Sequence, residues 1–286
     1  MNPCYLCGST SNAQRRGIVR DAPELRVLQC NDCGLVFLSS FEHIQDCHYE
    51  HSGMHGDELP EITAWLLESE SDDVRRINFL KPKLVGKRLL DFGCGPGGFL
   101  DKARSVAVRV TGVEPALRLQ NYFRSEGLQV FPSIGEVLAS GLKFDLITAF
   151  HVVEHLPNSR LVIIQLAGLL NPGDELIIEV PNSEDALLTL FKCEPFMSFT
   201  YWSQHLFLFN QRTLSKLVEQ EGLNILWIKQ LQRYTLSNHL YWLACGKPGG
   251  HKKWAFIDSL SLQESYSSQL AALGMCDTLL AGITAE

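Results

Sequence analysis

A glycine-rich turn between an apolar run and a helical pattern is the feature that most constrains this chain. Arg88–Phe92 is typical of a buried parallel strand, and residues 99–107 begin a helix. Between them, residues 93–98 read G-C-G-P-G-G, where glycines permit a tight turn and close approach of a ligand. The next predicted strand, 108–113, ends at Glu114, whose carboxylate can accept two hydrogen bonds from a ribose diol. The sequence therefore predicts a nucleoside cofactor at the carboxyl edge of a parallel sheet.

The glycine spacing distinguishes between cofactors. Dinucleotide folds use G-x-G-x-x-G, whereas this chain has G-x-G-x-G-G, and Asp91 before the turn suits a cationic amino group better than a pyrophosphate. The segment D-F-G-C-G-P-G-G resembles motif I of the class I S-adenosylmethionine (SAM) methyltransferases. The resemblance implies that Asp91 lies near the methionine moiety and that Glu114 holds the ribose. The other cofactor-binding residues that it implies are Gly93, Cys94, Gly95 and Gly97. A tight turn in an unrelated α/β protein is the alternative.

The order of predicted elements indicates the fold. Strands at 88–92, 108–113, 128–131, 144–150, 175–180 and 223–229 alternate with helices, and 277–283 is expected to be the closing edge strand. This predicts a doubly wound, mostly parallel seven-stranded α/β sheet of the Rossmann-like class I methyltransferase type. We divide the chain into an N-terminal module (1–40), a loop and helix covering the cofactor site (41–85) and a methyltransferase domain (86–286). An insertion at about 231–274 is either a substrate lid or a dimer arm.

Four cysteines indicate a metal site in the N-terminal module. Cys4 and Cys7 form one C-x2-C-G knuckle and Cys30 and Cys33 form another, with 22 residues between the two. Four thiolates at this spacing suit a tetrahedral structural zinc in a small zinc-ribbon-like module. Buried free thiols and a rubredoxin-like iron site are the alternatives. The pair Cys47 and His48, which follows a complete ligand set, is interpreted as surface or packing.

The composition is that of a soluble enzyme. The 286-residue chain is 45% hydrophobic and 20% charged, and its formal net charge of -7 argues against a long nucleic acid as partner. No apolar run is long enough to span a bilayer, and the first residues do not form a signal peptide. Nine cysteines without such a signal favour reduced thiols and a cytoplasmic location. We expect a small-molecule or glycan acceptor, and the oligomeric state stays open.

The fourth predicted strand leads into two histidines. Residues 144–156 read F-D-L-I-T-A-F-H-V-V-E-H-L, which resembles F-D-x-I-x-x-x-x-V-x-E-H in a large group of these methyltransferases. The resemblance places His151 near the methionine end of SAM and His155 at the pocket or in the turn. A structural hydrogen bond is the alternative role for each histidine. After the third strand, Ser133 is a candidate partner for the adenine amine.

A later segment indicates an acceptor. Residues 201–210, Y-W-S-Q-H-L-F-L-F-N, resemble the H-L-x-x-F-[ST] segment of methyltransferases found with polysaccharide and deoxysugar biosynthesis. In the sugar C-methyltransferases of that group the segment reads E-H-L-S-Y-F-S, and its histidine is the proposed base. Here Gln204 replaces the glutamate, so a carboxylate that would orient the imidazole is missing. The cysteine module and Tyr49 match the layout of the group.

We therefore expect SAM-dependent methylation of a nucleotide-linked or surface-glycan sugar at oxygen or carbon. A sugar hydroxyl is a poor acid, so a nearby base is useful, and His205 is the first candidate, followed by His151 and His155. One alternative keeps the enzyme class and changes the acceptor to a small phenolic or quinone-like metabolite or an RNA base. Another is a catalytically silent SAM-binding partner protein.

Overall fold

The computed structural model describes residues 3–44, 48–49 and 61–285, and it contains two β-sheets. In chain order the strands are β1 (Asn12–Gln14), β2 (Val27–Cys30), β3 (Val36–Leu38), β4 (Arg88–Phe92), β5 (Arg109–Val113), β6 (Val130–Phe131), β7 (Phe144–Phe150), β8 (Leu170–Pro181), β9 (Phe207–Leu208), β10 (Asn224–Leu231) and β11 (Thr278–Thr284). The bounds of β4 and β7 are those predicted from the sequence.

The helices fill the connections between these strands. They are α1 (Ile62–Leu84), α2 (Gly98–Ala103), α3 (Gln120–Ser125), α4 (Ile134–Ala139), α5 (Ser159–Ala167), α6 (Glu194–Thr200), α7 (Gln211–Glu219), α8 (Leu236–Cys245), α9 (Gly250–Lys253) and α10 (Leu260–Leu273). Helix α1 continues past Pro82 to Leu84, whose side chain is fully buried. Within the described ranges, none of these helices has the length and apolar character needed to cross a membrane.

The larger sheet confirms the predicted fold class. Its seven strands have the order β10-β11-β8-β7-β4-β5-β6, and the pairs from β8 to β6 are all parallel. Strand β11 is antiparallel to both β10 and β8. The expectation that the last strand lies at the edge was wrong, because β11 is buried along almost its whole length and β10 takes the edge. The carboxyl ends of β4, β5 and β7 lie side by side and form the edge at which ligands bind in such sheets.

The smaller sheet joins the N-terminal residues to the rest of the chain. Its order is β1-β2-β3-β9, and the fourth strand comes from the connection that follows β8. Val36 pairs with Leu208 and Phe37 with Phe207, and these side chains belong to one hydrophobic core together with β7 and β8. The N-terminal module therefore packs as part of the methyltransferase fold.

The expected insertion lies before β11 and contains α8, α9 and α10. Hydrogen bonds connect its first residues to the residue that precedes β11. The carboxylate of Asp277 accepts them from the backbone N–H groups of Arg233 (2.9 Å) and Tyr234 (3.1 Å). The expected loop at 41–60 falls largely outside the described residues, and so does Cys47, one half of the Cys47 and His48 pair.

Candidate functional site

The glycine-rich loop after β4 depends on glycine conformations. Gly93, Gly95 and Gly97 have φ values of 75°, 51° and 83°, which favour residues without a Cβ atom. A Cβ atom on Gly93 would also overlap the side chain of Val152, which follows β7. The loops after β4 and β7 therefore pack directly against each other, and this contact requires glycine at position 93.

Glu114 connects the end of β5 to the glycine-rich loop. Its carboxylate accepts hydrogen bonds from the backbone N–H groups of Gly95 and Ala116, both at 3.0 Å. Burial raises the pKa of Glu114, and these two hydrogen bonds only partly offset the effect. A carboxylate has about four acceptor sites, so it can still accept hydrogen bonds from a ribose diol.

Asp91 is a buried acid at the end of β4. Its side chain is 3% exposed, and the Thr148 hydroxyl donates a hydrogen bond to it at 2.7 Å. Burial raises the pKa of Asp91 to about 7, because the charge of Arg76 and the Thr148 hydrogen bond do not compensate for it. A cationic ligand group beside Asp91 would stabilise its charged form. The acid at β4, the acid after β5 and the open glycine loop together fit SAM, which carries an amino group and a ribose diol.

Two further predicted cofactor residues have local structural contacts. Cys94 turns its sulfur towards Gly112 of β5, where a Cβ atom would lie 2.7 Å from that sulfur. Ser133 caps α4, since its hydroxyl accepts a hydrogen bond from the Glu136 N–H at 3.3 Å. Burial raises the pKa of Cys94 well above its ordinary value, so the side chain is a neutral thiol that packs under the loop.

His151 lies at the end of β7 between two buried carboxylates. Its φ of 54° is in the left-handed region, a strained conformation for a residue with a Cβ atom. Nδ1 lies 3.2 Å from Glu154 and Nε2 lies 3.1 Å from Glu179. Burial opposes the charged imidazole, but the hydrogen bonds and charges of the two glutamates outweigh it and raise the pKa of His151. This environment favours an imidazolium, which donates a hydrogen bond to Glu154 and forms an ion pair with Glu179.

A layer of ion pairs covers this end of β8. Glu179 accepts hydrogen bonds from Arg75 at 2.8 Å and from Arg76 at 3.0 Å, both on α1. Arg233, from the insertion, binds Asp72 of α1 at 3.1 Å. Sequence reasoning missed these residues, although an acid within the apolar run L-I-I-E-V of β8 was a usable signal. Helix α1 and the insertion are therefore held over the carboxyl edge by buried charges.

His155 and His205 form a second group beside Glu154. Their ring centroids are 5.1 Å apart, and Nε2 of His155 lies 3.9 Å from the Glu154 carboxylate. The Nδ1–H group of His155 donates to the Gln204 carbonyl (2.7 Å), and that of His205 donates to the Thr200 carbonyl (2.8 Å). In this tautomer the Nε2 atom of each neutral ring carries the lone pair. Burial, followed by the charge of His155, lowers the pKa of His205 to about 4.

Glu154 places a carboxylate near His205. A nitrogen of His155, a nitrogen of His205 and an oxygen of Glu154 all lie within 4.8 Å of one another. Gln204 turns its side chain away from this group, and its Oε1 atom is 2.6 Å from Nε2 of His48. The carboxylate near His205 thus comes from the loop after β7.

The N-terminal module holds the segment that carries His205. The carboxylate of Asp21 accepts hydrogen bonds from the N–H (2.9 Å) and hydroxyl (2.6 Å) groups of Ser203. Nε2 of His43 lies 2.7 Å from the Ser203 carbonyl, and Tyr49 donates to the His155 carbonyl at 2.6 Å. Asp21 of the module, together with His43 and Tyr49 of the loop that follows it, therefore fixes the backbone near both histidines.

A polar cleft of about 610 Å³ lies between this module and residues 203–204. Three acids, three serines, two histidines and a glutamine dominate its wall. The lining residues are Asp21, Ala22, Glu24, Leu25, Ser39, Ser40, Glu42, His43, His48, Ser203 and Gln204. A wall of this kind offers many hydrogen-bond acceptors to a hydroxylated molecule.

The four cysteines of the two knuckles meet at one point. Their sulfur atoms lie within 4.8 Å of one another, and the pairs Cys4 with Cys33 and Cys7 with Cys30 are each 3.5 Å apart. None of the four forms a disulfide. Four sulfurs around a zinc ion at about 2.3 Å stand slightly less than 4 Å apart, so the arrangement fits a tetrahedral ion.

Comparison with known proteins identifies the family. A family model described as "Methyltransferase domain" matches residues 69–227, and the chain belongs to that family. Together with the fold, this match identifies a class I SAM-dependent methyltransferase, an enzyme.

Curated relatives and solved structures agree with this assignment. The chain is 26% identical over 163 residues to a ubiquinone biosynthesis O-methyltransferase of Xanthomonas axonopodis, covering 50% of this chain and 68% of the relative. It is 32% identical over 135 residues to the protein of that name from Bordetella pertussis, covering 41% of this chain and 56% of the relative. A SAM-dependent methyltransferase of Thermotoga maritima, titled a possible histamine N-methyltransferase, has a TM-score of 0.52 at 17% identity, covering 86% of this chain and all of that one. At this identity the structure shows the fold alone.

Proposed function

We propose that this enzyme methylates a hydroxyl oxygen of a small molecule and that His205 accepts the hydroxyl proton. The observation that carries the proposal is the hydrogen bond from Nδ1 of His205 to Thr200, which leaves Nε2 able to take a proton. One nitrogen of His205 lies within 4.8 Å of a Glu154 oxygen. When bound, SAM supplies an electrophilic methyl group on its sulfonium. Asp91 and Glu114 hold the amino group and the ribose of the cofactor. Glu154 stabilises the imidazolium that forms on His205.

A phenolic hydroxyl is the acceptor that suits this base. With a pKa of about 4, His205 is a weak base in its buried site. A phenol, with a pKa of about 10, gives up its proton far more easily than the hydroxyl of a sugar. The printed names of the relatives, ubiquinone biosynthesis O-methyltransferases, support a quinone-like phenol as well. The sugar acceptor expected from residues 201–210 has no such support among them.

A sugar hydroxyl remains a second candidate because of the polar cleft. Asp21, Glu24 and Glu42 line it, and a polyhydroxylated ring binds well to such acceptors. The cleft adjoins Gln204, which precedes the proposed base in sequence.

An acceptor panel tests the two candidates. Purified enzyme with SAM would be offered catechol-type phenols and nucleotide-linked sugars, and release of S-adenosylhomocysteine would be measured. We expect turnover with a phenol and none with the sugars. Turnover confined to sugars would overturn the phenolic proposal and support the second candidate. Transfer to a carbon or nitrogen atom would overturn both.

Binding of SAM is expected to depend on Glu114. Replacing it with alanine removes the ribose acceptor and the hydrogen bonds to Gly95 and Ala116. We expect SAM affinity to fall by about 1–3 kcal/mol, measured by calorimetry. Glu126→Ala, at an exposed glutamate after α3, is the matched control and should bind normally. Equal affinity of wild type and Glu114→Ala would refute the assignment.

We also propose that Cys4, Cys7, Cys30 and Cys33 hold a structural zinc ion. The converging sulfurs and the absence of disulfides among these four cysteines support it. With four protein ligands the ion has no open position for substrate, so its contribution is to stabilise the fold. The first knuckle precedes β1 and the second begins at the last residue of β2. The sheet that contains these strands also contains β9, which follows His205 closely in sequence.

A further inference from the structure

A basic segment, called the basic loop below, follows α8 and includes the short helix α9. We define it as residues 246–254, G-K-P-G-G-H-K-K-W, which contain three lysines and a histidine but no acid. Lys247, Lys252 and Lys253 are exposed, although the whole chain has a formal net charge of -7. A local charge of this sign in an acidic protein attracts anions.

The basic loop is held in place by its glycines and by α8. A Cβ atom on Gly250 would lie 2.6 Å from the Ser237 carbonyl and 2.7 Å from Cα of Asn238. The Gly250 N–H donates to the Asn238 side chain at 3.1 Å, and Gly249 has a φ of 97°. Gly250 therefore packs directly against the backbone of α8 and fixes the position of the segment. Because the lysines are presented from a fixed backbone, an anion binds them with little cost of ordering.

The basic loop contacts the start of the insertion, next to Arg233. The ring of His251 is 5.5 Å from that of Tyr234, and the Arg233 guanidinium is 5.4 Å from the same tyrosine ring. Arg233 in turn binds Asp72 of α1 at 3.1 Å, within the ion pairs that reach Glu179 and His151. A short series of contacts thus connects the loop to the histidine that follows β7.

The acids near the basic loop are engaged elsewhere. The carboxylate of Asp258, the next acid along the chain, accepts hydrogen bonds from the hydroxyl (2.6 Å) and N–H (3.2 Å) groups of Ser237. Asp72 and Asp277 pair with Arg233. Among the described residues, no ion pair joins Lys247, Lys252 or Lys253 to these acids.

We propose that the basic loop binds a phosphate group carried by the methyl acceptor. The inference rests on the proposed function for the hydroxyl that reacts, and it holds for a phenol as well as for a sugar. Lysine ammonium groups are point charges that suit phosphate oxygens. A nucleotide and a lipid headgroup both offer this chemistry. Phe256 and Leu260, which follow the loop and are 83% and 85% exposed, could enter a lipid surface if the phosphate belongs to a lipid.

Calorimetry with pyrophosphate and uridine diphosphate tests the proposal. The SAM pocket would be saturated with S-adenosylhomocysteine, so that the nucleoside cannot bind there. We expect binding that weakens as salt is raised, and at least a tenfold loss in the variant Lys252→Glu/Lys253→Glu. Lys81→Glu, at an exposed lysine in the last turn of α1, is the matched control and should bind as wild type does.

Vesicles distinguish the two sources of phosphate. Cosedimentation with phosphatidylglycerol vesicles, absent with phosphatidylcholine and lost in the lysine variant, would support the proposal with a lipid as the source. If neither diphosphates nor anionic vesicles bind wild type, or if the lysine variant binds them equally well, the proposal is overturned. Affinity for S-adenosylhomocysteine is measured in every variant. The variants should bind S-adenosylhomocysteine as tightly as wild type does. If wild type itself does not bind it, the result counts against the proposed function rather than against the phosphate site.

Discussion

Replacing Cys30 with serine should abolish binding of the proposed zinc ion and destabilise the N-terminal part of the fold. Zinc and four thiolates together contribute about 10–16 kcal/mol of apparent binding free energy in small zinc-binding peptides, and this energy stabilises the folded state. In this chain the effect will be smaller, because β2 and β3 also pack through Val36 and Phe37 against β9. We still expect one of the largest stability losses of any single substitution.

The same substitution should reduce methyl transfer without removing SAM binding. Asp21 and His43 hold Ser203, two residues before His205. Asp21 lies in the connection between β1 and β2 and His43 follows β3, so when the smaller sheet loosens the proposed base loses its fixed position. The proposed cofactor residues, Asp91 and Glu114, lie in the larger sheet and its loops. Calorimetry should therefore find the affinity of the protein for SAM nearly unchanged.

Metal analysis and thermal unfolding check this prediction. Wild-type protein purified under reducing conditions should contain about one zinc ion per chain, and Cys30→Ser should contain little and unfold at a lower temperature. Cys245→Ser, at an exposed cysteine at the end of α8, is the matched control. Iron in place of zinc would support the rubredoxin-like alternative. Metal-free wild type with a disulfide between these cysteines would contradict the site altogether.

The parts of the fold that local sequence determines were predictable. Arg88–Phe92 and Phe144–Phe150 are apolar runs bounded by turn residues, so their strand bounds follow from the pattern. The glycine-rich loop and Glu114 were also recognisable, because their chemistry depends on residues close together in sequence. The structure adds the reason for one glycine, the contact of Gly93 with Val152, which is far away along the chain.

The pairing of strands that are far apart in sequence could not be predicted from the hydrophobic pattern. Strand β9 has two residues, and nothing local indicates that Phe207 pairs with Phe37. The edge position expected for the last strand failed for a related reason, since the order of antiparallel strands depends on packing across the whole sheet.

The residues around the candidate histidines could not be predicted either, because they come from distant parts of the sequence. His151 and His205 were visible as residues, but their partners come from β8, α6 and the loop after β7. The charge state follows from those partners. Two glutamates favour the charged form of His151, whereas burial beside His155 keeps His205 neutral. The sequence places both histidines near the carboxyl edge of the sheet, but it cannot reveal this difference in charge. The difference favours a positioning role for His151 and a role as base for His205.

Replacing His205 with asparagine should lower the turnover number about a hundredfold or more, the usual effect of losing a general base. Asparagine can still donate a hydrogen bond to the Thr200 carbonyl, so the loop should keep its shape while Nε2 is lost. SAM affinity should stay close to that of wild type. His151→Asn should instead weaken SAM binding and stability as well, because it leaves Glu154 and Glu179 facing each other without the imidazolium between them.

Steady-state kinetics with the acceptor identified by the panel, together with SAM calorimetry, separate these outcomes. Because burial lowers the pKa of His205 to about 4, the base is neutral throughout the range from pH 6 to pH 8. Its protonation should therefore depress kcat/KM of the wild-type enzyme only in more acidic solution. A His205→Asn enzyme with near-normal turnover would show that His205 is a packing residue. The base would then be sought at His155, whose Nε2 faces the same glutamate at 3.9 Å.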